Sequence, residues 1–265
     1  MIEVTVLGSG AAVPAPGQTN SAYLVRAGAV RLLVDCGPAA LQQLAAVGVS
    51  PGDVTHVYFT HRHGDHALGY PMFLLWWLTQ RQPRTMPLTI CGEVTWSSLE
   101  TLFANSFGDV AREGPALPRQ LLPDRETSSV TLDGGVTLRT WPMEHTKFAP
   151  VLGLRVEHGG KVVAFTGDTG PCANVDPLAR GADLLVHEAT YSATLDPQLH
   201  DGLHGHCTAR SAGRAAAAAG VPRLALVHLS AHYVGRQDVL VAEAAREFAG
   251  EVTAPDAGAG YVLGT

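Results

Sequence analysis

Lysine is nearly missing from this chain: of 18 basic residues only Lys147 and Lys161 are lysines, and 24 acidic residues leave a formal net charge of −6. A protein that grips a polyanion along its length carries a basic excess or a basic stripe. The scattered arginines form neither, so a small or short substrate is expected in preference to long nucleic acid. Paired cysteines are absent as well. Cys36, Cys91, Cys172 and Cys207 stand far apart with no Cys-x-x-Cys, which argues against a disulfide frame and fits the reduced thiols of a cytoplasmic protein. No apolar run reaches the roughly 20 residues of a bilayer span; the most apolar stretch, Tyr70 to Leu78, is too short, and no membrane contact is expected. Met1 to Leu7 reads as a strand, without the basic and apolar regions of a secretion signal. Nor does Gly8-Ser9-Gly10 cradle a nucleotide, since no Gly-x-Gly-x-x-Gly and no helix pattern follow.

What is present is a 46% hydrophobic fraction over 265 residues, with 29 glycines and 17 prolines. That supports one α/β domain spanning 1–265 with a large core and many tight turns. Strands are expected at residues 2–7, 21–25, 31–34 and 54–59, and a helix at 38–47. An apolar helix follows to Leu78, whose Trp76 and Trp77 are either core or the lining of a dimer interface or substrate mouth. Residues 88–91 read as a strand and 94–104 as a helix. Asn105 to Thr127 then reads as a long loop that could form a lid. Further strands are expected at 129–132, 136–141, 151–157, 161–165, 183–186 and 223–227, with helices from Cys207 to Gly220 and Gln237 to Phe248. Two β-rich halves, each with a helix pair, fit two sheets packed together with helices outside.

The chemistry concentrates in Thr60-His61-Arg62-His63-Gly64-Asp65-His66, directly after the strand Val54 to Phe59. Alternate residues of an extended segment project the same way, which groups His61, His63 and Asp65, and His66 turns in as a helix begins. Three imidazoles and a carboxylate suit zinc, with manganese or iron as substitutes. Four donors this close more naturally serve two adjacent ions than surround one. Asp35, at a strand end, is expected either to accept a ligand imidazole N–H or to cap the helix that starts near Pro38.

This run resembles the His-x-His-x-Asp-His signature of the metallo-β-lactamase superfamily. The resemblance implies that fold, a four-layer αββα sandwich of two mixed sheets, and further ligands at long range. It assigns one ion to His61, His63 and His145, a second to Asp65, His66 and His228, and Asp168 of Gly167-Asp168-Thr169 to both. A hydroxide between the two ions would then attack the substrate. Redox di-iron relatives carry a carboxylate where this chain has His63, which argues against oxygen chemistry. More finely, His187-Glu188-Ala189-Thr190 and His206-Cys207-Thr208-Ala209 resemble the ribonuclease Z branch. There the match makes His206 the general acid and Glu188 the group that orients it; with Asp65 they form the implied catalytic set. The branch's long tRNA-gripping arm has no room between His145 and Asp168. Its Ser-Arg-Tyr after the last histidine reads Ser230-Ala231-His232-Tyr233 here. The reading is therefore a dinuclear-metal phosphodiesterase for a small or cyclic phosphodiester or short RNA. The alternatives are an esterase, thioesterase or lactonase of the same fold, and a non-catalytic binding subunit. A homodimer is expected from the resemblance.

Overall fold

The computed structural model describes residues 1–79 and 85–264. The first half of the chain lays down β1 (Ile2–Gly8), β2 (Ala22–Ala27), β3 (Val30–Val34), β4 (His56–Tyr58), β5 (Leu88–Gly92) and β6 (Arg119–Leu122). Helices α1 (Ala40–Ala46), α2 (Gly64–Ala67), α3 (Tyr70–Leu78), α4 (Glu93–Ser106) and α5 (Gly108–Glu113) run between them. The second half contributes β7 (Ser128–Leu132), β8 (Val136–Thr146), β9 (Ala149–His158), β10 (Lys161–Phe165), β11 (Leu184–Glu188), β12 (Arg223–Val227) and β13 (Glu251–Thr253). Its helices are α6 (Val175–Ala179), α7 (Ala209–Ala219) and α8 (Gln237–Ala245). The last strand, β14 (Gly260–Leu263), returns to pair with β1.

The six strands of the first half together with β14 make one mixed seven-stranded sheet, ordered β14-β1-β2-β3-β4-β5-β6, and β7 to β13 make the other, ordered β13-β12-β11-β10-β9-β8-β7. Both faces of each sheet are covered, which is why the central strands read as nearly continuous apolar runs. Along β12, Leu224 and Leu226 face α7 and α8 in one cluster, while Ala225 and Val227 face the other sheet with Val25, Leu154 and Phe165. A third cluster, including Leu33, Phe59, Phe73 and Leu99, lies under α1, α3 and α4. The result is the αββα sandwich of two mixed sheets expected from the sequence. The sheets are stitched where β4 ends: Tyr58 Oη donates to the Leu152 carbonyl at 2.9 Å, and Leu152 N–H donates to the Thr60 carbonyl at 2.9 Å. Strands β3 to β6 and β10 to β13 run parallel. Their carboxyl ends therefore gather loops at common edges, where such folds place ligands.

Two expectations from sequence need correction. The helix after His66 is not continuous. Gly69 sits so close to Cys36 and Gly37 that a Cβ there would strike the Gly37 carbonyl oxygen, and the chain breaks into α2 and α3. Residues 105–127 are not one long loop, because α5 and β6 lie within them; Val110 and Ala111 pack on the third cluster, and β6 pairs with β5. Segments of four to six residues between prolines are too short to show a period. Of the two readings left open for Trp76 and Trp77, Trp77 takes the first: it is buried in the third cluster, with Trp76 partly buried against it. Among the described residues no helix is long and apolar enough to cross a membrane.

Candidate metal centre

Asp35 follows β3 in the left-handed region, with φ +58°, an unusual conformation for a residue with a Cβ. Its buried carboxylate accepts the Thr60 N–H at 2.8 Å, the Thr60 hydroxyl at 2.9 Å and the Nδ1–H of His66 at 2.7 Å. Since the Thr60 hydrogen goes to the carboxylate, its oxygen is left to accept the Nδ1–H of His61 at 3.1 Å. Both rings are thereby held with a bare Nε2 turned inward. His145, near the end of β8, is oriented the same way by the Gly205 carbonyl, 2.9 Å from its Nδ1. Gly205 has φ +76°, and a Cβ on it would collide with the His145 backbone. His228, just after β12, also takes a left-handed φ of +55°; its Nδ1 is 2.8 Å from the Thr190 hydroxyl.

These fixed rings meet the two carboxylates. His228 Nε2 is 3.0 Å from Asp65 Oδ2 and 3.3 Å from Asp168 Oδ2. Asp168 Oδ1 is 3.2 Å from His66 Nε2, and its Oδ2 is 3.6 Å from His61 Nε2 and 3.9 Å from His145 Nε2. His63 Nδ1 faces His145 Nε2 at 3.2 Å. Two four-donor groups result, His61, His63, His145 and Asp168 on one side and Asp65, His66, Asp168 and His228 on the other, with donor atoms within 4.8 Å of one another in each. Three buried atoms of these groups, His61 Nε2, His66 Nε2 and Asp168 Oδ1, have no hydrogen-bond partner. Orphaned polar atoms in a dry site are costly, and lone pairs of this kind converging from imidazole and carboxylate fit divalent metal. The field agrees. Burial, reinforced by His66, pushes the His61 imidazole well down, towards the neutral form a ligand needs. Burial would raise the Asp168 carboxyl, but His228 and His66 outweigh it and hold the group well below the usual carboxylate range.

A third group stands beside these. His206 Nδ1–H donates to Glu188 Oε1 at 2.9 Å, and the ring stacks on His228 with centroids 5.2 Å apart and lies 4.8 Å from His145. The fully buried Glu188 also accepts the N–H groups of Thr169 and Thr190 and, at 2.8 Å, the Thr190 hydroxyl. Burial works against the charge of both partners. Their mutual hydrogen bond outweighs it, lowering the Glu188 carboxyl and raising the His206 imidazole. Glu188, His206 and His228 could in principle surround an ion of their own, but the Glu188 oxygens are occupied by four donors and His206 Nδ1 is spent, which suits the pair to holding a proton.

All ten residues singled out from sequence lie in this one region. Of the histidines between 200 and 206 only His206 joins it, and His187, alternating to the other face of β11, bonds the Glu188 carbonyl instead. Three participants are not among the site residues read from sequence: Thr60, whose hydroxyl links Asp35 to His61, Gly205, which carries no signal of its own, and Thr190. Thr190 stands two residues after Glu188, so it points the same way in extended chain. Its single hydrogen goes to Glu188, leaving its oxygen to accept from His228. Thr190→Val should therefore weaken metal binding about 10- to 100-fold, measured by competition with a chromophoric chelator.

A model of the β-lactamase superfamily domain matches residues 30–229. The chain is 37% identical over 270 residues to the Ribonuclease Z of Mycobacterium avium (strain 104), covering 97% of this chain and 96% of that one. The Ribonuclease Z of Mycobacterium tuberculosis is 34% identical over 264 residues, covering 95% and 94%. Among solved structures, the metallo-β-lactamase fold protein YhfI from Bacillus subtilis superposes with a TM-score of 0.79 at 25% identity, covering 98% of both chains. The short form of human tRNase Z gives a TM-score of 0.77 at 22% identity, covering 99% of this chain and 100% of that one. On the match over most of its length and the identity to these relatives, the chain belongs to the β-lactamase superfamily, within its ribonuclease Z-like branch, and is a metal-dependent hydrolase.

Proposed function

We propose that this hydrolase is a phosphodiesterase of two divalent ions, zinc foremost with manganese or iron as substitutes, acting on RNA or on a short or cyclic phosphodiester. His61, His63 and His145 would hold one ion, Asp65, His66 and His228 the other, and Asp168 would serve both. When bound, such ions supply an activated water and offset the charge that builds on the phosphoryl oxygens. The observation that carries the reading is the His206–Glu188 pair against both donor groups. A phosphodiester expels an alkoxide, which needs a proton as it leaves. Glu188 fixes the His206 tautomer with hydrogen on Nδ1 and favours the imidazolium, so Nε2–H is the proton offered to the leaving oxygen.

The missing arm weighs less against RNA than the sequence suggests. The Mycobacterium avium Ribonuclease Z aligns over 96% of its own length with this chain, which leaves no room for a long insertion in that relative either. The test is hydrolysis by the metal-loaded protein of an activated phosphodiester, a carboxylic ester and a lactone, each with and without chelator. Chelator-sensitive cleavage of the phosphodiester supports the reading; turnover of the ester or lactone alone transfers it to acyl hydrolysis.

The proton donor also sets a pH dependence. His206 must be protonated to act, and Glu188 raises its pKa, so the acid form persists to higher pH than a free imidazole would allow. Glu188→Gln removes the charge that raises it. The alkaline limb of the kcat/KM profile should then move to lower pH, and a limb that stays in place assigns the proton to another group.

A further inference from the structure

Helix α8 carries a buried carboxylate that neither the donor groups nor the proton pair uses. Glu243 is 1% exposed, and each of its oxygens accepts two hydrogen bonds. Oε2 takes the Ser192 hydroxyl at 2.8 Å and the Thr194 N–H at 3.0 Å, and Oε1 takes the N–H groups of Ala193 and Arg210, both at 3.0 Å. None of these four donors is charged. A carboxylate out of water is costly unless its lone pairs are met, so its use to the fold lies in what the four bonds hold together.

They hold the two segments that carry the proton pair. Residues 192–194 continue the chain from Glu188 and Thr190, and Arg210 lies in the first turn of α7, just after His206. The segments also meet directly: the Tyr191 N–H donates to the Cys207 carbonyl at 3.1 Å, and the Ala209 N–H to the Tyr191 carbonyl at 2.9 Å. Glu243 completes that junction from outside, with its charge at the amino end of α7, where the helix dipole favours it. The support is stiff. Helices α7 and α8 approach so closely that a Cβ on Gly213 would strike the Ala244 carbonyl oxygen. Tyr233, soon after His228, ties in a third segment, its Oη accepting the Ser192 N–H at 3.2 Å. The 2.9 Å bond from His206 to Glu188 is thus framed by a residue that bonds to neither of them.

We infer that Glu243 is a positioning residue for the proton donor, setting the reach of His206 towards the leaving oxygen by clamping the 190–194 and 206–210 segments in one register. The inference rests on the proton-donor reading above.

The test is a double-mutant cycle between Glu243 and His206. Metal-loaded proteins are assayed on a phosphodiester with a basic alkoxide leaving group and on one with a nitrophenolate. Glu243→Gln keeps the shape but turns an amide NH2 towards backbone N–H groups, which loosens the clamp. It should lower kcat on the alkoxide substrate about 10- to 100-fold, the scale of a 1 Å misplacement near the chemistry, with KM and metal content unchanged. In the His206→Ala background the same substitution should cost nothing further, because the group it positions is gone. Ser192→Ala removes one donor and leaves the carboxylate in place. It should give a smaller loss with the same dependence on His206, and it supplies the decision if circular dichroism shows Glu243→Gln unfolded. Equal losses in both backgrounds, or on both substrates, would mean a structural role alone and overturn the inference while the proton-donor reading stands. Full kcat on the alkoxide substrate in folded Glu243→Gln would overturn it as well. If His206→Ala itself spares the alkoxide substrate, both readings fall.

Discussion

Asp168→Asn is expected to lower kcat/KM by at least about a thousand-fold and to leave the protein with fewer than two metal equivalents. Asp168 is the one residue common to both four-donor groups. Its Oδ1 faces His66, while its Oδ2 faces His61, His145 and His228. Asparagine keeps the shape but presents one acceptor and no charge, so one group loses its donor and both lose the anion that offsets the cations. A bound ion can bring the pKa of water from about 16 to about 7, and partial loss of that effect easily spans three orders of magnitude. The apo protein should not suffer equally. In it Asp168 is a buried carboxylate with an unpartnered oxygen, a local sacrifice of stability of the kind functional sites carry. A metal at about a thousand times its Kd stabilises the fold by about 4 kcal/mol, which in a chain of this size is a rise in Tm of roughly 10 °C. Calorimetry should show that rise in wild type and little of it in Asp168→Asn, with similar apo values. Retained metal and retained Tm shift would mean that Asp168 does not join the two groups.

His206→Ala should give the opposite signature: metal kept, chemistry lost. His206 belongs to neither four-donor group and spends its Nδ1 on Glu188. A positioned general acid contributes about 10² to 10⁴ in rate, and the loss should fall on kcat, since the proton moves only in the transition state. Metal content by elemental analysis should equal that of wild type. If metal leaves with the imidazole, His206 is a ligand and the proton comes from elsewhere.

The donor run, His61 to His66, was legible as one cluster because four potential ligands packed into six residues after a buried strand point to a shared cation. The long-range partners His145, Asp168 and His228 were legible only through the superfamily resemblance, as nothing in their own surroundings distinguishes them from other strand ends. Strand β12 was read with its observed bounds, because both its faces are buried and glycine and proline punctuate its start. What stayed hidden depends on contacts between distant segments. The break at Gly69 is set by Cys36 and Gly37, over 30 positions away, and the orientation of His145 by a carbonyl at Gly205. Strain hides in the same way: Asp35 and His228 hold left-handed backbones at about 1–3 kcal/mol each, and that penalty is visible only in the fold that imposes it. Thr190 could have been found, since its spacing from Glu188 is that of one face of extended chain, but a threonine just past a strand ordinarily carries no signal.

The most direct test of His206 as proton donor compares wild type and His206→Ala, both metal-loaded, in single turnover on two phosphodiesters that differ only in the leaving group, one a weakly basic nitrophenolate and one a strongly basic alkoxide. If His206 protonates the departing oxygen, the substitution should slow the alkoxide substrate about 10² to 10⁴-fold and barely affect the nitrophenolate, which leaves without a proton. An equal loss on both substrates would contradict that role, placing His206 in binding or in the metal site rather than at the leaving group.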